Sequence, residues 1–395
     1  MTLKQLFFLL TFLFVIPLRP QADPLSDKAV ISVITCGPGA ELYSSFGHSA
    51  FRVQDREKGI DWIYNYGTFN FNTPNFYGKF ARGKLLYSLS KQRFENFLYA
   101  YELENRWVKE QILNISPGEQ NEVFAFLENN YKPQNRDYKY DFLLENCSTK
   151  IPEVLKRVLG EDIVFTNYLQ DNPKTFRDLI QENLISNSWS SFGIDLALGA
   201  VIDRQANYQQ YMFLPEYVFF QLEHTQIADQ PIVLRERTIL DYNLPLGGNY
   251  FTASPLFWLG LLFLFTATIT YIDFRNKVRS RVLDVILFLL TGLAGCLMVF
   301  LWFFTDHTAT AQNLNILWAF PLNLIPAYFL IRYKALPNWL PLYLTFLLIL
   351  LLIIVPVWAL GIQVFSPLVA VLLMVLGLRF GFLLYHARKI EPSTP

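Results

Sequence analysis

Tyr140-Asp141-Phe142-Leu143-Leu144-Glu145-Asn146-Cys147-Ser148-Thr149-Lys150-Ile151 is the stretch on which the reading turns. An apolar segment ends there and a helix begins. From Ser148 to Leu159, the apolar residues Ile151, Val154, Leu155, Val158 and Leu159 recur at helical spacing. Pro152 suits a first turn, whose N–H groups have no helical partner in any case. Cys147 therefore stands at a helix N-terminus, where unpaired N–H groups and a partial positive charge favour thiolate over thiol. Backbone N–H groups at the same place are positioned to hold an oxyanion.

A thiol nucleophile needs a base that takes its proton and later returns it. Phe46-Gly47-His48-Ser49-Ala50-Phe51-Arg52-Val53 puts a histidine at the start of a strand, beside a glycine. Before the apolar C-terminal third, the only other histidine is His224. A third polar group should orient the imidazole; Asn65 on the next strand is the candidate, with Tyr64 and Tyr66 as rivals. The expected catalytic set is Cys147, His48 and Asn65, with Asn146, Tyr64 and Tyr66 supporting or binding substrate. Cys36 follows a strand and opens a Gly-Pro-Gly turn. It reads as a packing residue near the site. A Cys36–Cys147 disulfide and an inert, buried Cys147 are the alternatives.

Around these residues the pattern from Asp23 to about residue 250 is mixed α and β. Lys28–Thr35, Ser49–Gln54 and Asp61–Tyr66 read as strands. Arg93–Glu110, Pro117–Asn130 and Ser148–Leu159 read as helices. Asn70–Phe80 (NFNTPNFYGKF) is aromatic and nearly uncharged, a composition suited to the outer leaflet. Phe71, Phe76 and Tyr77 would then line the mouth of a site that faces the membrane.

Beyond Pro255 the chain changes character. Apolar runs at 255–272, 282–304, 314–331, 339–358 and 366–385 each approach the length needed to cross a hydrocarbon core of about 30 Å. Arg275, Lys277, Arg279 and Arg281 follow the first run, Arg332 and Lys334 the third, and Arg388 and Lys389 the fifth. The loops after the second and fourth carry no Lys or Arg. This alternation puts the C-terminus inside and the mixed domain outside. Asp306, His307, Asn313 and Asn315 gather at the outer ends of runs two and three, as helix-end polar groups or facing the site or a lipid headgroup. Asn323 lies deeper and needs a partner in the bundle. Cys296 reads as a small buried apolar residue.

At the other end, Lys4 and the apolar run Leu6–Leu18, broken by Arg19-Pro20-Gln21-Ala22, read as an export signal over residues 1–22. Lys plus Arg and Asp plus Glu number 33 each, so no basic field points to nucleic acid. No His/Cys/Asp cluster offers a metal site, and no cofactor is expected.

The order of a strand histidine followed by a cysteine at a later helix start resembles the circularly permuted NlpC-type branch of the papain-like fold, which includes lecithin:retinol acyltransferase-like proteins. Asn146-Cys147 matches that branch, while Ser148-Thr149 stands in place of its Glu-His pair. A resemblance over nearly the whole chain is to the Lnb-type proteins. It rests on Thr35-Cys36-Gly37-Pro38-Gly39-Ala40-Glu41-Leu42-Tyr43-Ser44-Ser45-Phe46-Gly47-His48, Tyr64-Asn65-Tyr66-Gly67-Thr68-Phe69, Asp141-Phe142 with Asn146-Cys147, and Met212-Phe213-Leu214-Pro215. That family is similar to lipoprotein N-acyltransferases of envelopes that lack the nitrilase-like enzyme. The resemblance implies an α+β papain-like periplasmic domain (23–250) followed by an all-α five-helix transmembrane domain (251–390) in a bacterial inner membrane. It implies a phospholipid acyl donor and, as acceptor, the diacylated N-terminus of a lipoprotein. A membrane-tethered cysteine peptidase or amidase, and a non-catalytic envelope scaffold, are the competing expectations.

Overall fold

The structure, a computed structural model, describes residues 23–169, 173–242 and 250–389. The expected export signal lies outside these residues. The first domain is built on a seven-stranded antiparallel sheet. Its strands are β1 (Val30–Cys36), β2 (His48–Asp55), β3 (Ile60–Thr68), β4 (Leu86–Arg93), β5 (Val108–Leu113), β6 (Asp137–Lys139) and β10 (Val233–Leu240), in the order β10-β5-β1-β2-β3-β4-β6. Period-two alternation sorts the side chains. Ile31, Val33, Phe51, Val53, Tyr64 and Tyr66 line one face, and Ile34, Cys36, Ala50, Ile63 and Val108 line the other.

Helices cover both faces. The first face takes α3 (Pro117–Tyr131), which opens with a capping box formed by Ser116 and Glu119. It also takes α4 (Lys150–Leu159), which buries Ile151, Val154, Leu155 and Leu159. The second face takes α2 (Phe94–Leu103), through Phe94 and Phe97. A short helix, α1 (Phe76–Ala81), precedes β4. The helix expected over 93–110 therefore ends early: Asn105 turns the chain at φ 52°, and the segment from Val108 onward is β5. Past residue 160 come α5 (Phe176–Gln181), α6 (Trp189–Ala197) and α7 (Pro215–Glu223). A small sheet of β7 (Ile163–Phe165), β8 (Thr225–Ile227) and β9 (Gln230–Pro231) completes the domain.

Among the described residues, four helices are long and apolar enough to cross a membrane: α8 (Pro255–Asn276), α9 (Arg281–Phe303), α11 (Leu340–Ala359) and α12 (Pro367–Lys389). The run expected at 314–331 is not one straight helix. Thr308–Leu317 and Pro321–Arg332 meet at a 51° bend, and only α10 (Leu324–Arg332) is α-helical. The break nests on α9 at two glycines. A Cβ on Gly295 would lie 2.0 Å from the Ala319 carbonyl oxygen, and one on Gly292 2.8 Å from the Leu324 nitrogen. Irregular backbone at membrane depth is tolerated where protein buries it. Asn323, at the break, donates to Thr291 Oγ1 (2.8 Å) and accepts from the Tyr343 hydroxyl (2.6 Å). Cys296 is exposed on α9 rather than buried, an apolar-sized side chain on the lipid-facing surface.

A buried ionic lock ties three helices together. Arg379 on α12 is fully buried and bonds Asp284 on α9 (2.6 Å) and Asp273 on α8 (2.9 Å). It also donates to Thr270 Oγ1. Arg379→Leu should leave Asp273 without a cation and Asp284 with Arg279 alone (3.3 Å), and cost about 3–5 kcal/mol, read as a lower thermal midpoint in detergent. Removing the carboxylates as well, with Asp273→Asn and Asp284→Asn, should recover part of the loss. An unchanged midpoint for the single variant would mean that the lock contributes nothing.

Candidate active site

The site forms where the sheet runs out. Pairing of β2 with β3 starts at Phe51↔Tyr64, so residues 48–50 part from the end of β3 while still paired with β1, Cys36 opposite His48. His48 and Cys147 are hydrogen-bonded side chain to side chain in this gap, and the Ser49 N–H donates to the sulfur. His48 Nε2 lies 2.6 Å from Asn65 Oδ1. An amide oxygen only accepts, so Nε2 carries the proton and Nδ1 is left for the thiol.

The alternation of β3 explains why Asn65 rather than its neighbours meets the histidine. Tyr64 and Tyr66 point to the opposite face, where their hydroxyls donate to Glu128 and to Asn130 Oδ1 (2.7 Å) on α3. They support the core and do not line the site. Just beyond Asn65 the strand bulges. Gly67 adopts φ +90° there, and a Cβ on it would sit 3.5 Å from the Cys147 Cβ.

Asn146 holds the backbone on which Cys147 sits. Its Oδ1 accepts from the N–H groups of Ser148 (2.8 Å) and Thr149 (3.0 Å). Its Nδ2 donates to the carbonyls of Phe142 (2.7 Å) and Phe213 (2.8 Å). All of its hydrogen-bonding capacity is used and the residue is buried, so it organises the turn and leaves no group for substrate. The Cys147 N–H has no protein acceptor among the described residues.

Charge follows geometry. Burial opposes ionisation of Cys147, but the adjacent His48 and hydrogen bonds from His48 and Ser49 bring the thiol below its ordinary range. Burial also opposes protonation of His48, yet the Cys147 charge and the bonds to Cys147 and Asn65 raise the imidazole. The two shifts together favour a thiolate–imidazolium pair near neutrality. Cys36 behaves oppositely: burial pushes it up to about 12. Cys36 and Cys147 are both free thiols.

Two tyrosines that the sequence did not single out flank the thiol. The phenols of Tyr138 and Tyr140 are both held above their ordinary range, by burial first and then by the Cys147 charge. The Tyr138 hydroxyl is buried, donates to no acceptor among the described residues and faces the Gly67 N–H. Its position on the three-residue β6, paired with Tyr87 on β4, is visible only in the fold. A cavity of about 450 Å³ runs along α4 from Thr149 past Glu153 to Arg157, with Met212 in its wall. Among the described residues, no three His, Cys, Asp or Glu side chains are grouped to hold a metal ion.

Phe71, Asp306 and His307 lie away from the thiol. The Asp306 N–H donates to the Arg82 carbonyl (2.9 Å), and its carboxylate takes Lys139 Nζ (2.6 Å). His307 Nε2 lies 3.2 Å from the Phe80 carbonyl. Thr308 donates to Asp141 (2.6 Å). These membrane-half residues dock the end of α1 and the segment that follows it, and Phe71 belongs to an aromatic shelf, a group of rings at the start of α1. Asn313 and Asn315 make a second seam, donating to carbonyls at the end of α6.

A strand histidine oriented by an asparagine, facing a helix-start cysteine and joined to a membrane bundle, defines a membrane-bound thiol protein with its site on the α+β domain. The chain matches the Lnb N-terminal periplasmic domain over residues 21–182 and the Lnb transmembrane domain over residues 248–390. It belongs to the Lnb family, with a periplasmic N-terminal domain and a transmembrane C-terminal one. No curated protein and no solved structure matches it.

Alkylation of Cys147 by iodoacetamide should titrate with a midpoint below the ordinary thiol value of about 8.5, because the shift is downward. His48→Ala removes the cation and should move the midpoint up. Asn65→Ala should do so to a lesser degree. A midpoint at the ordinary value in the wild type would remove the ion pair from the description.

Proposed function

We propose that this protein is a lipoprotein N-acyltransferase of the bacterial inner membrane, working through a Cys147 thioester. The observation that carries the reading is an unbroken run of aromatic rings from the thiol to the membrane half. Tyr140, beside Cys147, stacks on Tyr87 with centroids 4.2 Å apart. Tyr87 meets Phe69 at 5.4 Å, Phe69 meets Phe71 at 5.0 Å, and Phe71 meets Phe76 at 4.9 Å. The shelf ends in exposed rings, Phe71 (67%), Tyr77 (79%) and Phe80 (52%), and Phe80 abuts His307 at the outer end of α9. Rings of this kind suit the depth of lipid headgroups and upper acyl chains. A soluble peptide substrate would need no such path.

In the first half-reaction the Cys147 thiolate attacks an ester carbonyl of a phospholipid. The C–S bond forms, the ester C–O bond breaks, and imidazolium His48 gives its proton to the departing lysophospholipid oxygen. In the second, the α-amine of the diacylated lipoprotein cysteine attacks the thioester. His48 Nδ1 takes a proton from the amine, the C–N bond forms, and the thiolate leaves. The unpaired Cys147 N–H and the Tyr138 hydroxyl are the donors for the tetrahedral oxyanion. The cavity along α4, with Glu153, Lys156 and Arg157 in its wall, offers the peptide acceptor an approach distinct from that of the lipid.

Purified protein in phospholipid vesicles, given a diacylated lipopeptide, should convert it to the triacylated form, followed by mass. Cys147→Ser should abolish conversion. Tyr138→Phe keeps the ring and loses one donor, and should slow conversion about 10²-fold without changing alkylation of Cys147. Hydrolysis of phospholipid or peptide with no acyl gain on the lipopeptide would overturn the reading.

A further inference from the structure

The shelf's far edge carries charge that neither half-reaction uses. Arg82 and Lys84, just past α1, are exposed and make no ion pair among the described residues. Three cations, Arg82, Lys84 and Lys139, act on the single carboxylate of Asp306, and Lys139 alone bonds to it. The next carboxylate along, Asp141, is held by Thr308. The Thr308 hydroxyl leaves the charge of Asp141 intact, so three cations face two carboxylates and the edge keeps a net positive charge. Its place is fixed by main chain: the Arg82 carbonyl takes the Asp306 N–H, two residues beyond Phe304, which caps α9. Guanidinium and ammonium groups thus stand at headgroup height beside exposed rings. Lys84 also lies only three residues before Tyr87, in the middle of the aromatic run that leads to Cys147.

We propose that Arg82 and Lys84 form a phosphate-recognition edge for the donor glycerophospholipid, seating its headgroup while the aromatic shelf takes an acyl chain. The inference rests on the acyl-transfer reading for the word donor, but the binding itself does not depend on turnover. Guanidinium and ammonium donors match phosphate oxygens through charge-assisted hydrogen bonds. The edge therefore distinguishes a phospholipid from a diacylglycerol with identical chains, which has the esters and lacks the phosphate.

The test uses the full-length Cys147→Ser protein in detergent, which cannot turn over. Binding of dioleoyl phosphatidylglycerol is compared with binding of dioleoylglycerol by native mass spectrometry. The phospholipid should be favoured about tenfold, the scale of a charge-assisted hydrogen bond. Arg82→Gln with Lys84→Gln should remove most of that preference, with alkylation of Cys147 unchanged in the same double variant on the wild-type background. Equal binding of the two lipids, or a preference that survives the double variant, overturns the proposal. Displacement of the lipid by millimolar inorganic phosphate also overturns it, since that marks a soluble-anion site. If the preference holds and depends on the two cations, while the wild type never acquires an acyl group, the headgroup edge stands and the transfer reading fails.

Discussion

The Asn146 side chain is the constraint on which the rest of the site depends. Four hydrogen bonds join it to two N–H groups of the following turn and to two carbonyls, one of them in the distant Phe213. Those bonds fix where α4 begins, and so where Cys147 stands relative to the end of β2. They also consume the N–H groups of Ser148 and Thr149 and leave that of Cys147 free to face an incoming oxygen. A shorter or apolar residue that satisfied fewer of these groups would strand buried polar atoms at a cost of about 1–3 kcal/mol each. The thiol would then lose its register with His48.

The proposed acyl transfer also requires that the site sit at the right height. The loop from Asp306 to Asn315 does this positioning. It bonds main chain to main chain with the segment after α1, and its asparagines hold the end of α6. The upper arm of the third span is irregular because it serves the seam rather than the bilayer. The cost of unwinding is met by the glycines of α9 and by the Asn323–Thr291–Tyr343 network. Deeper in the bundle, Arg379 locks α8, α9 and α12 at the opposite end, so that the outer ends carry the periplasmic domain on a rigid base.

Much of this was legible in the sequence, for reasons that are local. A cysteine at a helix start, a histidine at a strand start and an asparagine on the next strand are all features of short segments, and they do converge. The α+β domain followed by apolar spans was legible from composition. What was not legible depended on distant partners. The β5 segment reads as helix because Glu110 and Gln111 break its apolar pattern. Both are buried, and Glu110 is paired with Arg52, Arg237 and Ser32 on other strands. Tyr138 lies on a strand of three residues that has no signature of its own. Tyr64 and Tyr66 were rivals to Asn65 until the strand's register assigned them to α3. Asp306 and His307 read as site residues because they are polar at a membrane surface, and the fold uses them to dock the shelf instead.

The most direct measurement is the intact mass of wild-type protein incubated with phospholipid in the absence of any acceptor. The expected result is a fatty-acyl increment that maps to Cys147, is discharged by hydroxylamine and is absent from Cys147→Ser. An unmodified Cys147 under conditions in which it still reacts rapidly with iodoacetamide would contradict the thioester, and with it the claim that the aromatic shelf delivers lipid to the thiol.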